Sequence, residues 1–116
     1  MQKINFAEKL ATFNDHWQPR TVGQFNGHDL MLVKAQGEFV WHKHDDTDDF
    51  FLVVKGQMTI ELRDRNVVLG PGEMFVVPKG VEHRPVAVEE VHLLIIERSG
   101  TPNTGDTTTA AKRQLI

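Results

Sequence analysis

The 116-residue chain is long enough for one domain with a hydrophobic core and too short for two ordinary domains. Hydrophobic residues make up 40% of it and charged residues 25%, which is typical of a globular protein. A net charge of −3 gives no basic field for binding nucleic acid or anionic lipid, and the lack of cysteine excludes disulfides, thiolate metal sites and thiol nucleophiles.

The N-terminal sequence MQKINFAEKL lacks the apolar core of a signal peptide. No apolar run approaches the ~18 residues that a membrane-spanning helix needs. We therefore expect a cytoplasmic protein that contacts neither membranes nor nucleic acid.

One helix is predicted, in an N-terminal segment covering residues 1–19. Asn5 is a candidate N-cap, and Glu8 three residues later completes a capping box. Pro19 is expected to end the helix. Apolar residues recur at spacings of four, three and four, which places them on one helical face: Phe6, Leu10, Phe13 and Trp17.

Residues 20–98 read as short strands. The segment MTIELR alternates strictly between apolar and polar residues, and HDLMLVKAQ, MFVVP, HRPVAV and VHLLIIE are short apolar runs separated by turn residues or charges. Such spacing predicts an all-β barrel or sandwich. The polar, Thr-rich residues 99–116 are expected to form a surface strap or a partly disordered tail.

His42 and His44 are the first candidate site residues. On a strand, side chains two positions apart share a face, with backbones ~6.7 Å apart, so both imidazoles can reach one ion. An H-x-H pair alone is weak support for a metal site. The other histidines occur singly, and a single histidine is more often a surface or hydrogen-bonded residue.

The sequence DDTDD that follows is rich in turn residues, so the strand should break there and a new one begin near Asp49. In the new strand Asp49 shares one face with Phe51 and Val53. If that face lines the interior, Asp49 is a buried carboxylate, which is costly unless it is paired or bound to a cation. The remaining aspartates are expected to be solvated turn residues: Asp45, Asp46 and Asp48.

Two fixed patterns resemble the motifs of the cupin family. The first runs from Gly37 through His42, His44 and Asp49 to Gly56, and the second runs from Gly72 through Pro78 and Gly80 to His83 and Ala87. Fifteen residues separate the two motifs, and together they cover residues 37–87. The likeness is strongest to small single-domain cupins labelled mannose-6-phosphate isomerase-like, a label that reflects fold kinship and not activity.

Three positions depart from the family pattern. One residue fewer than usual lies between Gly37 and His42, and Ala87 replaces an asparagine. The third departure matters more, because Asp49 replaces glutamate. The shorter side chain withdraws the carboxylate by ~1.3 Å, while metal–oxygen distances tolerate only a few tenths of an ångström. Asp49 could bind directly after a backbone adjustment, bind through a water, or leave a site of three histidines.

The resemblance implies a double-stranded β-helix, the antiparallel jelly-roll barrel, with His42, His44, Asp49 and His83 around a metal in one mouth. Such ligands suit a divalent Fe, Mn, Ni, Co, Cu or Zn ion. It implies a metal-dependent enzyme acting on a small molecule, of dioxygenase, isomerase or lyase type, with Asp49 as fourth ligand or general base. The alternatives are a metal-containing binding or sensing module without turnover, and a barrel whose histidines line a metal-free pocket.

The interior neighbours expected around this site make a largely apolar pocket for a small ligand: Val40, Phe51, Val53 and either Met31 or Val33. Lys79 and Arg84 lie near the predicted mouth and could meet an anion there, but we favour the interpretation that they are solvated charges. Apolar residues at outward positions predict that a second copy packs on the barrel as a homodimer: Phe50, Leu52, Val54, Leu94 and Ile96.

Overall fold

Strands provide nearly all the regular structure of the computed structural model, which describes residues 2–116. The elements are α1 (Phe6–Leu10), β1 (Arg20–Phe25), β2 (His28–Glu38), β3 (Asp49–Lys55), β4 (Met58–Leu62), β5 (Asn66–Leu69), β6 (Met74–Val77), β7 (His83–Arg98) and β8 (Gln114–Leu115). Apart from the parallel pair of β1 and β8, these strands pair antiparallel, and the predicted all-β jelly-roll with a short N-terminal helix is confirmed. None of the helices found in this part of the chain has the length and apolarity to cross a membrane.

The N-terminal helix is shorter than predicted. Its cap is as expected, since the Asn5 side chain accepts a hydrogen bond from the Glu8 backbone N–H at 3.0 Å. The helix ends at Leu10 and not near Pro19. The Thr12 hydroxyl donates to the Lys9 carbonyl at 2.6 Å, and such local side-chain bonds compete with helix continuation. Leu10 and Phe13 are nevertheless buried together against β1 and β2.

Strand β7 joins the two halves of the barrel. The sequence predicts two strands here, HRPVAV and VHLLIIE, but the structure has one strand of 16 residues. Residues 83–86 pair with β4, and residues 92–96 pair with β3. Between these two segments the pairing register of β7 with β2 shifts, and Val88, Glu89 and Glu90 are exposed. The two glutamates therefore mark a β-bulge within one strand and not a turn between two strands.

The main core consists of inward residues of β2 to β7, and β2, β3 and β7 contribute most of them. Met31, Val33, Phe51 and Val53 are buried there, as predicted. Val40 was predicted to join them, and that prediction is wrong, because its side chain is 52% exposed. It follows the end of β2 at Glu38, where strand alternation no longer determines which side a residue faces.

Residues 99–116 return along the barrel and end beside β1. The short β8 pairs parallel with β1, with Arg20 opposite Gln114 and Thr21 opposite Leu115. The Ile116 backbone N–H donates to the Thr21 carbonyl at 3.0 Å. This strap brings side chains from residues 99–116 to the same end of the barrel as the predicted site.

Gly56 is the glycine with the tightest requirement in the barrel. It has φ of +90°, and a Cβ added there would lie 2.9 Å from the Glu90 carbonyl oxygen and 3.2 Å from the Val91 Cα. We expect Gly56→Ala to lower the free energy of unfolding by ~2–4 kcal/mol, since it adds a backbone clash to the strain of a left-handed conformation.

The matched control is Gly27→Ala, which also has a positive φ but open space around the added Cβ. Urea unfolding should show a loss of only ~1 kcal/mol for this variant. Equal losses for the two variants would show that the contact with β7 does not constrain Gly56.

Candidate metal centre

A two-residue backbone pairing between the loop before β3 and the start of β7 positions two of the candidate ligands. His42 and His83 form an isolated antiparallel bridge, with N···O distances of 3.0 and 2.9 Å. The Gly80 N–H donates to the His44 carbonyl at 2.7 Å and extends this connection. His42 and His44 are therefore buried in a loop that pairs with the start of β7, and not in the regular strand that the H-x-H spacing predicts.

The acidic segment divides as the sequence predicts. Asp45, Asp46 and Asp48 are exposed, and β3 begins at Asp49, whose side chain is buried. Asp48 also has a structural role, because its Oδ1 accepts a hydrogen bond from the Lys79 N–H at 3.0 Å. The turn before β3 is thus fixed to the loop at Lys79, which leads into His83 at the start of β7.

Four donor side chains converge at this point. His42, His44, Asp49 and His83 each place one nitrogen or oxygen within 4.8 Å of the others, and all four residues are buried. Asp49 Oδ2 lies 2.8 Å from His83 Nε2, 3.1 Å from His44 Nε2 and 3.8 Å from His42 Nε2. The structure therefore brings together every residue that the sequence predicts for the metal site.

Backbone carbonyls orient two of the rings. His42 Nδ1 lies 2.9 Å from the Val40 carbonyl oxygen, and His83 Nδ1 lies 2.9 Å from the Val81 carbonyl oxygen. A carbonyl only accepts, so each Nδ1 carries a proton and donates. Each Nε2 then either carries a second proton, which makes the ring cationic, or presents a lone pair to a bound cation.

The donor set fits a divalent metal. Three buried imidazolium ions around one carboxylate would repel one another, whereas neutral rings can share one ion with Asp49. Ligands ~2.1 Å from an ion lie ~3.0–3.4 Å from each other, and the three Nε2–Oδ2 distances bracket that range. Asp49 Oδ1 is buried without a hydrogen-bond partner, which is also consistent with a site built for a cation.

The shorter carboxylate reaches this point because Asp49 is the first residue of β3, which pairs with Val77 of β6. Burial on its own raises the pKa of Asp49, but its contacts with the rings of His42, His44 and His83 outweigh burial and hold the pKa of the carboxyl well below its usual range. Asp49 is thus an anion in this site.

A fifth side chain, Glu97, was missed by the sequence interpretation. It lies 14 residues after His83 on β7 and therefore on the same inward face, and only 3% of its surface is exposed. The signal was present in VHLLIIE, where Val91, Leu93 and Ile95 point inward and the next inward position is a glutamate. Its carboxyl group lies beside that of Asp49.

The C-terminal strap supplies the counter-ion for Glu97. Arg113 Nη2 donates to Glu97 Oε2 at 2.8 Å, and Nη1 donates to Asp29 Oδ2 at 2.6 Å. Asp29 and Glu97 are opposite residues of β2 and β7. One guanidinium therefore bridges two buried carboxyl groups, an arrangement that is destabilising if either partner is removed.

An apolar cavity adjoins the donor set. His42, Asp49 and Glu97 line it together with residues whose side chains are apolar or aromatic: Trp17, Val33, Phe39, Phe51, Leu93 and Ile95. The rings of Trp17 and Phe39 stack at 4.8 Å, and Phe39 meets His42 edge-on. The cavity is thus closed by side chains from the N-terminal segment and the end of β2.

The other charged candidates lie outside this cavity. Arg84 forms ion pairs with Glu61 at 2.6 Å and with Glu38 at 3.1 Å, and none of these residues lines the cavity. His16 and His92 both contact Glu90, and His28 contacts a backbone carbonyl. These three single histidines are surface or hydrogen-bonded residues, as expected, whereas His83, which also occurs singly, belongs to the buried donor set.

Burial and, to a smaller extent, the negative charge of Asp49 raise the pKa of Glu97 to about 8, and the positive charge of Arg113 opposes this only in part. The folded protein therefore holds a proton that the unfolded chain releases near pH 4.5. Between these two pH values the unfolded state binds fewer protons, so stability falls as the pH rises.

We expect urea unfolding with chelator present to show that the wild-type chain loses at least ~1 kcal/mol between pH 5 and pH 9 relative to Glu97→Gln, which cannot ionise. The difference between the two proteins cancels the titration of the histidines. Parallel pH profiles would mean that Glu97 does not hold a proton in the folded state.

Comparisons with known proteins agree with this architecture. The family model described as a cupin domain matches residues 29–97. A crystal structure of a cupin-2 domain containing protein from Shewanella frigidimarina is 52% identical, with a TM-score of 0.81 over 82% of this chain and 93% of that chain.

Two curated sequences are similar over a smaller share. The uncharacterised Bacillus subtilis protein YdbB is 34% identical over 66% of this chain and 63% of its own length. The 3-hydroxyanthranilate 3,4-dioxygenase of Xanthomonas euvesicatoria pv. vesicatoria is 28% identical over 72% of this chain, and the match spans about half of the enzyme, 49% of its length. The residues that the family model matches include His42, His44, Asp49 and His83, and the chain belongs to the cupin family.

Proposed function

We propose that the protein is a metal-dependent enzyme acting on a small molecule, of dioxygenase, isomerase or lyase type. The observation that carries the proposal is a buried group of four donors, three imidazoles and one carboxylate, in the wall of an apolar cavity. Such a group holds a metal and leaves coordination positions for water or substrate. The similarity to a dioxygenase supports the same class of chemistry.

The proposed ligands are His42, His44, Asp49 and His83. A divalent Fe, Mn, Ni, Co, Cu or Zn ion bound there would supply a Lewis acid. The carbonyls of Val40 and Val81 fix the rings of His42 and His83 so that Nε2 points inward. Asp49 Oδ2 faces three imidazole nitrogens, and so we assign Asp49 to the ligand role and not to that of general base.

The surrounding side chains would orient the substrate and exclude water. Phe51 and the stacked pair of Trp17 and Phe39 provide flat apolar walls, and Glu97 is a polar group at the wall of the same cavity. A dry cavity strengthens each electrostatic interaction within it.

A binding or sensing module without turnover is the second candidate. It is favoured by the scarcity of acid–base groups in the cavity. Among the described lining residues the carboxyl groups are those of Asp49 and Glu97, and these already contact His83 and Arg113. Such a module would be stabilised by a ligand and would form no product.

We expect the iron- or manganese-loaded protein to turn over at least one member of a panel of diols, aminophenols, keto acids and sugars. Product formation and oxygen consumption are the measurements. His42→Ala should lower kcat/KM by at least ~100-fold because it removes a ligand, whereas His28→Ala, outside the site, should leave it unchanged. Ligand-induced thermal stabilisation without product across the panel would favour the binding module.

Metal content gives a separate test of the ligand set. Elemental analysis of the untagged protein should find ~1 divalent transition-metal ion per chain, and His42→Ala or His83→Ala should lower this by ~10-fold or more, since each removes a donor. His28→Ala is the matched control. Equal metal content in all of these proteins would end the metal proposal and leave a metal-free pocket.

We also propose a homodimer. Phe50, Leu52 and Val54 point outward from β3 and are half-buried, while Met74 and Val76 on the adjacent β6 are exposed. Burying this apolar face against a second copy would stabilise both chains. Light scattering should give twice the 13.2 kDa chain mass, and Val76→Lys should reduce it to one chain mass. A monomeric wild-type protein would refute the dimer.

The cytoplasmic location stays a prediction.

A further inference from the structure

The cavity beside the donor set offers no positive side chain to a ligand. Its polar lining consists of His42, Asp49, Glu97 and Asn103, and no lysine or arginine lines it within residues 2–116. The remaining walls are apolar. A ligand that enters the cavity therefore meets acids, an amide and hydrocarbon, in addition to a metal held by the histidines.

Arg113, the cation that contacts Glu97, is already fully engaged. Its Nη1 donates to Asp29 at 2.6 Å and its Nη2 donates to Glu97 at 2.8 Å. The guanidinium also donates to the backbone carbonyls of Arg98 and Thr101. Freeing it for an anionic ligand would leave Asp29 and Glu97 buried without their cation, which is strongly unfavourable.

From this, and resting on the proposed function, we propose that the cavity selects a small uncharged ligand with one ring and with hydroxyl or amine donors, and excludes the same ring carrying an added carboxylate. The ring would lie against Phe51 and the stacked pair of Trp17 and Phe39. Its hydroxyl or amine groups would be placed to meet the metal and the carboxyl group of Glu97.

The cost of burying an unpaired anion is what makes the cavity selective. A carboxylate that is not on the metal would lie against hydrocarbon or beside Glu97, without a cation. This holds for both protonation states of Glu97, because neither an anionic nor a neutral carboxyl group supplies positive charge. The selectivity therefore depends on the missing cation in the wall.

Two compounds test this directly, because they differ only by a carboxylate. The first is 2-aminophenol, which is uncharged at neutral pH, and the second is 3-hydroxyanthranilate, which has the same hydroxyl and amine and an added carboxylate. Calorimetric titration of the Zn²⁺-loaded wild-type protein should show at least ~10-fold tighter binding of 2-aminophenol.

A variant that supplies the missing charge tests the cause. Phe39 is half-buried at the cavity and tolerates a longer side chain better than a core position. Phe39→Arg should tighten binding of 3-hydroxyanthranilate by at least ~10-fold relative to Phe39→Leu, the matched control that removes the ring without adding charge. Binding of 2-aminophenol should change by less than ~3-fold between these two variants.

Several results would overturn the inference. Equal or tighter binding of 3-hydroxyanthranilate by the wild-type protein would do so, as would failure of 2-aminophenol to bind at millimolar concentration. The wild-type comparison decides the matter even if a Phe39 variant fails to fold. Binding of 2-aminophenol without turnover of any compound would contradict the proposed enzyme and leave this inference standing. Turnover of 3-hydroxyanthranilate in preference to 2-aminophenol would support the proposed enzyme and overturn this inference.

Discussion

The backbone pairing of His42 with His83 is the constraint on which the rest of the site depends. Two hydrogen bonds connect the loop before β3 with the first residue of β7, about 40 residues later in the sequence, and each paired residue contributes an imidazole to the same point. Because the pairing is made by backbone atoms, it leaves both rings free to face inward. Asp49 then needs only the turn before β3 to bring its carboxylate among the nitrogens.

Local patterns singled out His42, His44 and Asp49, and the resemblance to the cupin motifs added His83 to the set. Glycine and proline positions locate the loops, the turn residues of DDTDD explain why β3 begins at Asp49, and alternation assigns its face. Two other predictions are wrong for the opposite reason, since Trp17 was expected on the helix, which ends at Leu10, and Val40 was expected in the interior. Neither lies in a regular element, and no local pattern determines where such a side chain points.

Glu97 and Arg113 illustrate a different limit. Alternation does place Glu97 inward. At the end of a strand, however, a glutamate is normally expected to be exposed, and only its ion-pair partner Arg113 shows that this one is buried. That partner lies in a polar, Thr-rich segment without apolar periodicity. Its position follows from the parallel pairing of β8 with β1, a tertiary contact that composition does not reveal.

The bridge from Asp29 through Arg113 to Glu97 also bears on the order in which the barrel folds. Asp29 and Arg113 are separated by 84 residues, so the bridge forms only after a long loop has closed. Until Arg113 docks, two carboxyl groups face each other at the mouth of the barrel without a cation. The mouth should therefore be among the parts of the fold that acquire native structure late and open first in hydrogen exchange, even though its metal donors are buried.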